Sequence, residues 1–275
     1  MVTVELVAVE AFDPLQADTS SAPAQASTRA RPFVVVRRTC TEVVCSTPGL
    51  VARRVVTLTA VAFRGWPSEA IDFYDGLEDD NSRAYWQANK AVYDRAVRAP
   101  MEELLTELAP EFGEGRIFRP NRDVRFSADK SPYKTAIAAM LEGGGYVQLS
   151  AAGLGVGRGL YHMAPDQLER FREAIDDDVT GRALVGLVDA ARAKGIEVTA
   201  HESLKTAPRG YPKDHPRIEL LRLKGLVTWR EWPVAAWLST AKAKAKVADH
   251  LRASRPIAGW LDEHVGPSTM PGRWG

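Results

Sequence analysis

Between residues 135 and 163 the chain falls into three short apolar runs, 135–141, 146–151 and 156–163. Gly143-Gly144-Gly145 and Gly153-Leu154-Gly155 separate them. Runs of this length, divided by glycine turns, predict an antiparallel meander. On both sides of it the apolar period lengthens to that of helices. Ala70, Phe73, Tyr74 and Leu77 form one stripe, with Glu69, Asp72, Asp75 and Asp79 on the solvated face. Asn81 is placed to cap a second helix carrying Tyr85, Trp86, Val92 and Tyr93. Pro100 opens a third, with Met101, Leu104, Leu105 and Leu108 inward, and Gly113 and Gly115 end it.

After the meander, helices are expected from Pro165 (Leu168, Phe171 and Ile175 inward) and over 181–194. Strands are expected at 196–200 and 226–229, a helix from Pro216, and two closing helices over 234–251 and 256–265. The predicted fold class is therefore α+β: a mixed or mostly antiparallel central sheet, with helices from both ends of the chain packed on it.

Residues 56–267 are expected to form that one domain, with 268–275 a flexible tail. Residues 1–55 contain no lysine, and 16–31 show no hydrophobic period, so an unstructured segment is expected there. Its arginine-, alanine- and valine-rich composition is what an upstream-placed start codon in a GC-rich genome yields, and Val56 is the expected alternative start. Glu5, Glu10 and Asp13 sit where a secretory signal would be basic or apolar.

Composition narrows the function classes. A net charge of +1 gives no bulk attraction to nucleic acid. No window approaches 18 consecutive apolar residues, so no membrane span is expected. Cys40 and Cys45 are the only cysteines, which excludes a disulfide framework and fits a cytoplasmic location. The run from Gly153 to Gly159 contains no G-x-G-x-x-G, and it joins strand to strand rather than opening a helix, so a glycine-rich hairpin is expected instead of a phosphate loop. The five histidines form no H-x-x-x-H or H-E-x-x-H pair, so neither a metal nor any other cofactor is expected.

The densest stretch is IFRPNRDVRFSADKSPYKT, residues 117–135. It carries Arg119, Arg122, Arg125, Lys130 and Lys134 against Asp123 and Asp129, with Ser127 and Tyr133 adding hydroxyls. Read as a strand, 123–127 puts Asp123, Arg125 and Ser127 on one face about 7 Å apart, with Val124 and Phe126 in the core. Arginine forks and lysine charges suit a phosphate or carboxylate, so this segment is the candidate anion site. Arg158 and His162, on the glycine-rich strand, are the further candidates. If the site does chemistry, Asp123, Tyr133 and His162 are its acid–base groups. The alternative is a non-enzymatic scaffold or partner-binding module, in which the Arg–Asp network is structural.

The stretch FRPNRDVRFSADKSPYKT resembles the domain of unknown function family 2461, a set of conserved hypothetical bacterial proteins. NSRAYWQANK, from Asn81 to Lys90, is similar to that family's N-N-R-x-W-F-x-x-N-K stretch. The strand through Gly157 and Tyr161, Tyr211 with Asp214-His215-Pro216, and Trp260-Leu261 also match, over about residues 63–265. The resemblance implies a compact bacterial domain and assigns no catalytic residue, substrate or cofactor.

Overall fold

The strands pair antiparallel throughout, in the order β1-β2-β3-β4-β6-β5. They are β1 (Gly115–Ile117), β2 (Ala136–Leu141), β3 (Gly145–Ser150), β4 (Gly153–Leu160), β5 (Glu197–Thr199) and β6 (Leu226–Pro233). The computed structural model describes residues 62–125 and 127–270, so the expectations for residues 1–55, for the side chain of Phe126 and for 271–275 lie outside the described residues. The α+β class holds, and among the described residues the sheet is wholly antiparallel.

Helix α1 (Glu69–Asp79) buries Ala70, Phe73, Tyr74 and Leu77, the stripe its sequence predicts. Helix α2 (Arg83–Val92) is capped by Ser82, whose side chain accepts from Tyr85 N at 3.1 Å, and not by Asn81. That leaves the Asn81 amide for another task. A π-helical stretch, Tyr93–Arg98, joins α2 directly to α3 (Ala99–Phe112). Pro100 therefore does not start a separate helix. It has no N–H to give the turn before it, and the wider π turn absorbs the mismatch.

Beyond the meander come α4 (Pro165–Asp176), α5 (Asp178–Ala193), the short α6 (Ile218–Leu221), a 3-10 turn at Ala236–Ser239, α7 (Lys242–Ala253) and α8 (Arg255–His264). No described helix is long and apolar enough to cross a membrane.

Side chains alternate across a strand, and here one alternate set packs against the helices. Ile137, Ala139, Leu141, Val147, Leu149, Leu154 and Val156 join Met101, Leu104 and Leu105 of α3 and Val247 and Leu251 of α7 in one apolar core. Val198 and Leu226 join Phe171, Leu184, Ile257 and Trp260 in a second. A polar seam lies near this second core: Thr228 donates to Ser254 at 2.7 Å, and Ser254 donates to the His250 carbonyl at 2.8 Å. The other alternate set, which includes Ala138, Tyr146, Gln148, Gly155, Gly157 and Trp229, belongs to neither core. One sheet face thus packs the described helices, and the other, where Ala138, Tyr146 and Gln148 are buried, faces away from them.

Candidate functional site

The basic stretch folds as a long hairpin-like loop beside the sheet. Arg122 N donates to Pro132 O at 2.9 Å, Lys134 N donates to Pro120 O at 2.8 Å, and Asn121 bridges Tyr133. Among the described residues of 123–127 the expected strand does not form. Asp123 accepts from the Arg125 backbone N–H at 3.2 Å, and Asp129 accepts from Ser131 N at 2.8 Å. These local side-chain bonds compete with a ladder and turn the chain instead. Asp123 and Arg125 are therefore not spaced along one face. They touch, with Arg125 Nη2 2.6 Å and Nε 2.9 Å from the carboxylate oxygens.

Charge in this loop is largely compensated within it. Hydrogen bonds from Arg125 hold the Asp123 carboxyl down at about 2. Asp129 pairs with Arg122 and lies well below the usual carboxylate range, held there first by Ser131 and then by Arg122. Lys130 Nζ donates to Val124 O at 2.9 Å, and Lys134 Nζ lies 5.5 Å from the centre of the Phe118 ring. Arg119 is exposed and Ser127 half-buried on the same loop. Val124 is half-buried rather than a core residue.

Two contacts from α2 and the residue before its cap set the position of the loop. Asn81 Nδ2 donates to Tyr133 O, and Tyr133 N donates to Asn81 Oδ1, both at 3.0 Å. The Trp86 and Tyr133 rings stack at 4.3 Å and 9°. Tyr133 is consequently a buried anchor.

The loop leads through Phe118 onto the sheet face that carries Tyr146 and Trp229. Its ring centre is 6.4 Å from that of Tyr146 on β3, which is 6.1 Å from that of Trp229 on β6. Between them runs β4, whose Gly155 and Gly157 have no side chain to interfere. A Cβ on Gly155 would come within 2.6 Å of the Trp229 ring, and one on Gly157 within 2.8 Å. The indole therefore lies directly on bare backbone. Tyr146 donates to Gln148 Oε1 at 3.2 Å, and burial pushes its hydroxyl far above the usual phenol range.

At the end of β4, Tyr161, His162 and His201 form a tight cluster. Tyr161 Oη lies 2.6 Å from His201 Nδ1, and the two rings stack with centres 4.7 Å apart. The His162 ring stands edge-on to both at 4.9 Å. Glu202 and Lys224 pair beside them.

Arg158 does not join this face. Period two sends it to the opposite side from Gly157 and Gly159, where Nη1 donates to Leu251 O of α7 at 3.2 Å. It belongs to the helix-packed side and cannot reach a ligand on the loop. Of the expected site residues, the structure groups those from Arg119 to Lys134 in one loop, puts His162 in the Tyr161–His201 cluster and removes Arg158. Tyr146, Gln148, Trp229, Tyr161 and His201 were not anticipated. The signal for the first three is the glycine at every second position of 153–159, a bare stripe onto which a large neighbour must fold. Among the described residues no group of three or more His, Cys, Asp or Glu side chains is placed to hold a metal.

Comparison with known proteins adds one finding. The model of a family described as conserved hypothetical protein, DUF2461, matches residues 69–260. That span contains the loop, the aromatic sheet face and the histidine cluster. No curated protein and no solved structure shows a significant match.

Proposed function

We propose, from the premise that the chain belongs to the DUF2461 family of conserved hypothetical proteins, that it binds a small ligand with a flat body and a phosphate or carboxylate group. The flat body lies against the aromatic sheet face and the anion meets the basic loop. The observation that carries this reading is the Trp229 indole on the Gly155–Gly157 backbone, continued by Tyr146 and Phe118. A sheet face with contiguous aromatic rings, the half-buried Trp229 indole among them, is suited to stacking a planar partner. The adjoining loop supplies the charge. A guanidinium has five donors, and Asp129 engages Arg122 through Nη1. An anion of suitable shape therefore has donors to add to, or can replace an aspartate. The reading includes a cytoplasmic location in a bacterial cell, which the absence of any cysteine beyond Cys45 supports.

A scaffold or partner-binding role is the second reading. The Arg122–Asp129 and Arg125–Asp123 pairs favour it, because compensated arginines need no external anion. The experiment that decides is a thermal-shift screen over phosphate, sulfate, mononucleotides and short nucleic acids at fixed ionic strength. A ligand at 100 times its Kd stabilises by about 2.7 kcal/mol. Binding here requires that Trp229→Ala and Arg125→Ala each reduce the shift. If no anion stabilises the protein, the scaffold reading stands.

A further inference from the structure

We infer that Tyr161 and His201 form a proton-transfer couple in which His201 takes the phenolic proton and Tyr161 acts as an oxygen nucleophile or general base. The inference rests on the proposed binding face only for where a substrate would lie. The reactivity of the pair is a separate property and is tested separately.

The first support is geometric. With His201 neutral and its proton on Nε2, Tyr161 Oη donates to Nδ1 across 2.6 Å. That is short for a neutral hydroxyl donor and sets up transfer along the hydrogen bond. The stacked Tyr161 and His201 rings, with His162 edge-on to both, limit rotation away from this arrangement. His201 and Glu202 are exposed and Tyr161 is half-buried, so a reagent can reach the pair.

The second support is that the fold does not need this bond. Three chain segments meet here, 160–163, 201–204 and 222–225. Backbone bonds already tie them: Met163 N to Lys224 O at 3.3 Å, Lys224 N to Glu202 O at 2.9 Å, and Leu204 N to Arg222 O at 2.8 Å. Arg222 adds Nε to Leu204 O at 2.6 Å and Nη2 to Lys205 O at 3.0 Å. Gly225 lets its strand press on Tyr161, since a Cβ there would come within 2.3 Å of the Tyr161 carbonyl. A solvent-accessible hydroxyl–imidazole bond adds little to a junction braced in this way. Its presence in an already secured junction points to chemistry.

The third support is placement. Tyr161 follows directly on the strand that carries the Trp229 platform, and its charge raises the Tyr146 hydroxyl further. The imidazoles also act on Glu202, whose carboxyl is held down first by Lys224 and then by His201 and His162.

An aryl sulfonyl fluoride tests the couple without knowledge of the substrate. Tyr161 Oη attacks sulfur, the O–S bond forms, the S–F bond breaks, fluoride leaves with the electron pair, and the phenolic proton passes to His201 Nδ1. Peptide mapping by mass spectrometry of the full chain should show Tyr161 labelled at least about tenfold faster than N-acetyltyrosinamide at the same pH, the gain of a modest general base. His201→Phe keeps a stacking ring and removes the base, and should return the rate to that of the free reference. Labelling of Tyr161 no faster than the reference overturns the inference, and this comparison needs no variant. So does an unchanged rate in a folded His201→Phe protein. The labelling uses no ligand, so failure of the thermal-shift screen leaves it interpretable, and anion binding without fast labelling rejects the couple alone.

Discussion

Asn81 and Tyr133, 52 residues apart, exchange two hydrogen bonds of 3.0 Å, as two facing strand residues would. The amide serves as a one-residue strand edge for the loop, and Trp86, one turn later, stacks on the same tyrosine. Asn81→Ala leaves both Tyr133 backbone groups unpaired in a half-buried site, and should cost about 2 kcal/mol, two bonds of ordinary net strength. Asn81→Asp keeps the acceptor but sets a carboxylate oxygen against the Tyr133 carbonyl, and should cost at least as much as Asn81→Ala. Urea unfolding measures both. An Asn81→Ala protein as stable as the parent would show that the loop is held by other contacts.

Arg125→Ala should behave oppositely. Its ion pair with Asp123 is made within one loop, and the Arg125 side chain is 60% exposed. Exposed pairs of this kind contribute little. The thermal midpoint should be essentially unchanged while any anion-induced shift falls. A protein that unfolds on this change would mark the pair as structural.

The platform makes a coupled prediction. Adding a methyl at Gly155 or Gly157 forces the Trp229 ring off the strand, because the new carbon would come within 2.6 or 2.8 Å of it. Overpacking of this size costs about 1–3 kcal/mol. In a Trp229→Ala background the same Gly155→Ala change should cost much less, since the clash is gone. A double-mutant cycle measures the difference. Additive effects would mean that Trp229 does not rest on the glycines.

Several features of this fold were legible in the sequence because local pattern and tertiary packing agree. The α1 stripe of Ala70, Phe73, Tyr74 and Leu77 is buried as its period requires, and the meander falls where the glycines divide it. Between 123 and 127 they disagree. Alternation of Val124 with charged neighbours suggests a strand, yet Asp123 and Asp129 capture nearby backbone N–H groups and turn the chain. The same competition misassigned Asn81: Ser82 caps the helix, and the amide is used at a partner 52 residues away that no local rule names. Arg158 was misplaced because its side of the strand depends on which alternate set faces the helices. The aromatic platform was hidden for a related reason. Trp229 meets Gly157 through the β4–β6 pairing, a register that only the folded sheet defines.

His250 gives the protein a defined acid sensitivity. It is 3% exposed on α7, and neither ring nitrogen makes a hydrogen bond of ordinary geometry among the described residues. Burial, reinforced by Arg230, lowers its pKa from 6.5 to about 4, with a weaker opposing influence from the Thr228 backbone. The unfolded chain therefore binds a proton more readily than the folded one between these values. The stability linked to the neutral imidazole is fully present above pH 6.5, declines as pH falls, and is lost below about 4. The depression corresponds to about 3 kcal/mol across that window. His250→Leu keeps an apolar side chain beside Trp232, whose ring centre is 6.2 Å from that of His250, and removes the titrating group. Urea unfolding at pH 7.0 and 4.5 should show the parent losing more stability than the variant. Equal losses would mean that the imidazole finds a proton partner in the folded state and that other groups set the acid limit.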